Sequence, residues 1–85
     1  MKVKLLFFAA LREQLGRPAE ELELPPGVAT VGALREHLCA RGGAWAAAFA
    51  PTRNVRAAVN QDMAPPAAAI KAGDEVAFFP PVTGG

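Results

Sequence analysis

The chain opens on strict alternation. Over residues 2–8, Val3, Leu5 and Phe7 fall on one face of an extended segment, and Lys2, Lys4, Leu6 and Phe8 on the other. The apolar density suits a central strand. The lysines mark the second face as the wetter one, which leaves Phe8 as an exposed aromatic. The period then changes. Residues 9–15 (AALREQL) favour a short helix, ended by Gly16 with Pro18 beyond it. Alternation resumes over residues 20–24, with Leu22 and Leu24 inward and Glu21 and Glu23 outward. Because the intervening helix is so short, the first two strands are expected to pair antiparallel. Pro25-Pro26-Gly27 closes the second strand with a turn.

Thr30 is a good N-cap for a helix over residues 31–41, which Gly42-Gly43 ends. Val31, Leu34 and Leu38 form one stripe along it, suited to packing across a sheet. Residues 44–50 predict a further helical turn or two, with Trp45 and Phe49 paired at i,i+4, and Pro51 terminates it. Residues 55–60 give a third strand, with Val55, Ala57 and Val59 inward and Arg56 outward. Asn60-Gln61-Asp62 turns into a weak edge strand near Met63-Ala64 that Pro65-Pro66 stops. Ile70 is a lone apolar plug in a connector, followed by the turn Lys71-Ala72-Gly73-Asp74. Residues 75–79 form the last strand, with Val76 and Phe78 inward and Ala77 and Phe79 outward. One main helix over a mixed sheet of about five strands is the α+β, β-grasp (ubiquitin-like) arrangement. Parallel pairing of the first and last strands would bring Phe8 and Phe79 onto the same solvent-side face.

Composition narrows the class. The 85 residues are 52% hydrophobic, a figure raised by alanine, with 8 Gly and 8 Pro. This predicts a single compact domain spanning residues 1–85, which buries roughly 60–65% of its unfolded surface. A net charge of +1, with both signs spread along the chain, carries no nucleic-acid footprint. No apolar run approaches the roughly 20 residues of a membrane span. The start, Met1-Lys2-Val3-Lys4, lacks a signal-peptide pattern, so a cytoplasmic location is expected. One cysteine excludes an internal disulfide and a zinc site built from cysteines.

The candidate chemistry lies in the last seven residues, Phe79-Pro80-Pro81-Val82-Thr83-Gly84-Gly85. Neither proline can donate to a sheet ladder, so the strand ends and residues 80–85 are expected to form a flexible tail. Extended, those six residues reach roughly 20 Å. Gly84 and Gly85 carry no side chain and would pass through a slot too narrow for other residues. Other residues invite blander readings. Cys39, on the flank of the main helix, suits a small packed residue, and His37 lacks any second ligand or triad partner. Asp74 and Glu75 would face opposite ways in a strand, which defeats acid–base cooperation. Trp45 and Phe49 suit core packing, and Arg12 a solvated helix charge or polar rim contact.

Three strings, Lys4-Leu5-Leu6-Phe7-Phe8-Ala9, Ala58-Val59-Asn60-Gln61 and residues 73–85 (GDEVAFFPPVTGG), resemble the small-subunit family of molybdopterin synthase, ubiquitin-like sulfur carriers. The resemblance extends over essentially the whole chain, and the terminal string is its specific part. It implies a fixed sequence of chemistry. An α-carboxylate, ionised above a pKa of roughly 3.5, is a poor electrophile and needs activation before it can accept sulfur. In this family an E1-like adenylating enzyme uses ATP to activate the terminus, here Gly85, and sulfur from a donor protein converts it to a thiocarboxylate. The sulfur passes to cyclic pyranopterin monophosphate in the active site of the synthase large subunit, within a heterotetramer that serves molybdenum cofactor biosynthesis. Gly84 would give the tail access to that site. Phe8, Met63 and Phe79, with Pro80, Pro81, Val82 and Thr83, would contact the partners. The chain itself would bind no cofactor or metal, and would not be an enzyme alone. Three alternatives stand beside this: a thiamine-pathway sulfur carrier, a ubiquitin-like protein modifier, and an interaction module without tail chemistry.

Overall fold

A computed structural model describes residues 1–81. Its elements run β1 (Lys2–Phe7), α1 (Ala9–Leu15), β2 (Ala19–Glu23), α2 (Val31–Cys39), α3 (Gly43–Ala48), β3 (Arg56–Val59), β4 (Asp62–Ala64) and β5 (Glu75–Phe79). The five strands form one sheet in the order β2-β1-β5-β3-β4. β1 and β5 pair in parallel at the centre, and every other neighbouring pair is antiparallel. This is the β-grasp arrangement expected from the alternation pattern.

The core lies between the sheet and its helices. Val3, Leu5 and Phe7 of β1 and Val76 and Phe78 of β5 are buried against the Val31, Leu34 and Leu38 stripe of α2. Thr30 caps that helix, its hydroxyl accepting from the Ala33 N–H at 3.1 Å. Phe7, Phe49, Phe78 and Trp45 close one end of the core as an aromatic cluster. Within it Phe49 meets Phe78 edge-on at 5.2 Å, and Phe7 meets Trp45 edge-on at 5.5 Å. Ile70 is buried, and the isolated bridge between Thr30 and Ala69 holds its connector to the start of α2.

Several boundaries shift from the expected ones, each for a local reason. Phe8 does not extend β1. It is the N-cap of α1, its N–H donating to Phe78 O at 3.1 Å while its carbonyl accepts from Leu11 and Arg12. β2 starts at Ala19 and ends at Glu23, yet Leu24 still donates to Met1 O at 2.7 Å and buries its side chain. α2 stops at Cys39 because the chain tightens there. Arg41 and Gly42 donate three residues back, to Leu38 O and Cys39 O, rather than four. α3 spans Gly43–Ala48 with Phe49 as its C-cap, and β3 begins one residue after Val55.

Candidate functional site

The outer face of the sheet, away from α2, is built by the register of the central strands. Leu6 lies opposite Ala77 in the parallel pair, Ala77 opposite Ala58, and Ala58 opposite Met63. One apolar row therefore crosses four strands. The next level toward the end of β5 holds Phe79, which is opposite Arg56, while Phe8, one residue past the end of β1, donates its N–H to Phe78 O. Phe8 is 47% exposed and Met63 59% exposed, whereas Phe79 is only half-buried. Ala58 is buried on this same face, so the floor between the large side chains is low. Met63 and Phe79 thus share one face by register, Phe8 is tied by its N–H to the same end of β5, and Pro80 and Pro81 follow directly from that end. Val82, Thr83, Gly84 and Gly85 lie outside the described residues.

The other half of the outer face is charged. Lys4 lies opposite Glu21 on one side and Glu75 on the other, and Lys2 Nζ stands 3.8 Å from Glu21. The apolar area is therefore confined to the end of the sheet from which the tail leaves.

Backbone geometry holds Phe8 in place. Ala9 follows it with φ 53°, a left-handed conformation that costs a non-glycine residue roughly 1–2 kcal/mol. Gly16 (φ 74°) ends α1 as expected. The opposite end of β5 is fixed by Asp74, the last residue of the expected turn 71–74, whose side chain is buried. Asp74 accepts from the Lys71 N–H at 2.8 Å and from Asn60 Nδ2 at 3.0 Å, while Asn60 Oδ1 accepts from the Glu75 N–H at 3.0 Å. The backbone bond from Lys71, with the Asn60 bond second, holds the Asp74 carboxyl below its ordinary pKa. Asn60 and Gln61 both have positive φ (50° and 72°), the requirement of a type I′ hairpin between β3 and β4.

A second ion cluster went unread in the sequence. Glu20 shares the phase of Leu22 on the covered face, where Arg41 and Arg17 hydrogen-bond it. The Arg41 bond, ahead of an opposing effect of burial, lowers the Glu20 pKa. Arg41 also stacks over Trp45 at 4.3 Å from the ring centroid, with Arg17 at 5.7 Å. The pattern signal was available: a charged residue at an inward position demands a partner. Arg35 is likewise committed, donating to the carbonyls of Phe49, Ala50 and Arg53.

Cys39 is half-buried, its thiol 3.9 Å from Ala46 O, in keeping with a packed residue. Among the described residues, no group of three His, Cys, Asp or Glu could hold a metal ion, and no helix is long and apolar enough to cross a membrane. These residues assemble no convergent polar constellation on the outer face. What the face offers is an apolar surface beside the point where the chain leaves β5.

Residues 5–85 match the ThiS family, a span that takes in the whole outer-face row and the terminal string. The chain belongs to the ThiS family. A relative in Haemophilus influenzae, the molybdopterin synthase sulfur carrier subunit, is 47% identical over 83 residues, covering 98% of this chain and 99% of its own. Among solved structures, a putative molybdopterin converting factor subunit 1 from Pyrococcus furiosus superposes with a TM-score of 0.78 at 34% identity, covering 96% of this chain and 99% of that one. SAMP1 from Haloferax volcanii superposes with a TM-score of 0.77 at 29% identity, and each chain is covered completely.

Proposed function

We propose that this protein is the sulfur carrier subunit of molybdopterin synthase. The observation that carries the reading is the full-length likeness, at 38–47% identity, to three relatives that all bear that name. The terminal string supports it on chemical grounds, because an apolar strand, two prolines and a Gly-Gly end suit the presentation of a reactive carboxylate. Gly85 is adenylated by an E1-like enzyme at the expense of ATP, and a sulfur donor protein converts the acyl adenylate to a thiocarboxylate. The soft sulfur nucleophile then enters the large subunit and is transferred to cyclic pyranopterin monophosphate. Gly84 gives the end its slim profile, and residues 80–83 span the distance from the docking face. Phe8, Met63 and Phe79 supply that face, with Arg12 and Arg56 at its rim. The chain works as one folded unit with its tail and is not catalytic by itself. Its site of action is the cytoplasm.

A second reading, a protein modifier joined to lysines, is favoured by the likeness to SAMP1, a small archaeal modifier protein. The intact mass of the native C-terminus separates the readings. Cells active in cofactor synthesis should yield a form in which sulfur replaces one oxygen of the terminal carboxylate. A terminus that stays a carboxylate even with ATP, the adenylating enzyme and a sulfur source would overturn the carrier reading. A ladder of higher-mass conjugates would favour the modifier.

A further inference from the structure

The large apolar residues at the exit end of β5 are held there by two different means. Strand pairing places Met63, opposite Ala58, and Phe79, opposite Arg56. Phe8 has no such partner, because β1 and its pairing with β5 both end at Phe7. Its place falls to local backbone geometry. The Phe8 N–H donates to Phe78 O at 3.1 Å, and its carbonyl accepts from the Leu11 and Arg12 N–H groups at 3.2 and 3.4 Å. Both polar groups of its backbone are engaged, while the residue remains 47% exposed.

Ala9 joins these two sets of bonds. Among the described residues, the non-glycine positions with positive φ are Ala9, Asn60 and Gln61. Asn60 and Gln61 make the turn between β3 and β4, which requires it. Ala9 (φ 53°) is in no hairpin. It opens α1 directly after Phe8, whose backbone is extended (φ −123°, ψ 156°), and α1 then buries Leu11. The start is a poor one for a helix by itself. Phe8 is the N-cap and gives no side-chain acceptor, whereas Thr30 caps α2 with its hydroxyl. Serine or aspartate at position 8 and glycine at position 9 would each suit the local backbone better. Strain of this kind clusters where a structure sets a functional group in place.

We propose that Ala9 is a positioning residue for docking: its left-handed turn, immediately after Phe8, holds that exposed ring as a preformed anchor at the end of β5. This role rests on the carrier reading, and the partner is the synthase large subunit. A ring whose backbone is already tied loses less freedom on binding than one on a loose segment, so affinity depends on the turn. Aromatic anchors carry a large share of interface energy.

The test is a double-mutant cycle on full-length chains, read by titration calorimetry against the purified large subunit. Ala9→Val puts a β-branched residue where positive φ is least tolerated, so the turn reorganises and Phe8 loses its place. The dissociation constant should rise at least about fivefold. In a Phe8→Ala chain the same change at Ala9 should add less than about twofold, because the ring it acts through is gone. Ala9→Gly, which adopts positive φ freely, should rescue, with an affinity within about twofold of the wild type. Hydrogen exchange of the Phe8 amide in the free chain reports the bond to Phe78 O and needs no partner. That amide should stay protected in Ala9→Gly and lose protection in Ala9→Val.

Affinities are referred to the folded fraction measured by circular dichroism. Should Ala9→Val be unfolded, Ala9→Leu takes its place with the same pattern expected. Equal losses with and without the Phe8 ring would overturn the proposal, since position 9 would then act on the fold alone. So would an Ala9→Val chain that binds like the wild type, or an Ala9→Gly chain that binds as poorly as Ala9→Val. A wild-type chain that fails to bind the large subunit would overturn the carrier reading and, with it, this role for Ala9.

Discussion

The two faces of the sheet are made from the same strands by the same alternation, and they have opposite fates. The inner face carries Phe7, Phe78, Leu5 and Val76, all buried in the one core with the α2 stripe and Phe49. The outer face carries Phe8 and Met63 exposed and Phe79 half-buried, beside a half in which charges alternate. Burial makes the first set an investment in stability. The second set gains little from folding and costs solubility, which suits a surface completed by another molecule. The difference shows that side-chain identity alone assigns neither role. Phe78 and Phe79 are adjacent and chemically identical, and only the parity of the strand separates core from surface.

The strongest way to break this comparison is to alter the tail and leave both faces untouched. A residue added after Gly85 should abolish sulfur transfer in a reconstituted synthase assay while the melting temperature stays unchanged. Full complementation by the extended variant would show that the terminus is not the reactive group.

The adjacent phenylalanines sharpen the comparison next. Phe78→Ala should lose about 3–5 kcal/mol of stability, since it empties a fully enclosed site among Phe7, Phe49 and Ala57. Phe79→Ala should raise the dissociation constant for the large subunit by about tenfold or more, as anchor residues of an interface do, with a smaller loss of stability. Chemical denaturation and titration calorimetry on both variants decide it. A large stability loss for Phe79→Ala at unchanged affinity would reverse the assignment of faces. Met63, on the edge strand and mostly exposed, should shift stability by less than about 0.5 kcal/mol when replaced by alanine and weaken binding by a few-fold.

Much of this was legible in advance because it depends on periodicity. The alternation of Val3, Leu5 and Phe7, the stripe of Val31, Leu34 and Leu38, and the Thr30 cap each state a local rule that the fold obeys. The exposed aromatics could be named because they fell out of phase with the core. What stayed hidden depends on contacts between residues far apart in sequence. Glu20 looks like any strand carboxylate until Arg41, 21 residues on, folds over it and over Trp45. Phe8 looks like one more strand residue until Ala9 turns left-handed and makes it a cap. Asp74 looks like half of an acidic pair until Asn60, brought beside it by the β3–β5 ladder, is seen to hold its side chain. Pairing across 14 or 21 residues leaves no periodic trace.

That last network gives the smallest of the expected effects and the one that tests electrostatics alone. Asp74 and Glu20 both have folded-state pKa values below their ordinary ones, Asp74 chiefly through the Lys71 N–H and Glu20 chiefly through Arg41. A depressed value means that the unfolded chain takes up protons first as the pH falls. The stabilisation is therefore complete above the unfolded values, near 4, and disappears as pH drops through the lower folded values. Thermal melts from neutral pH to about pH 2.5 should show a falling acid limb across that window. Asp74→Asn cannot ionise, and it turns one acceptor toward the backbone into a mixed donor–acceptor group. Its melting temperature should be lower at neutral pH and its acid limb shallower. Because Asp74 anchors the start of β5 and the docking row lies toward the strand's other end, affinity for the large subunit should change less than stability does. An acid limb as steep as in the wild type would move the titrating group from this turn to the Glu20–Arg41 cluster, and Glu20→Gln would then be the variant that flattens it.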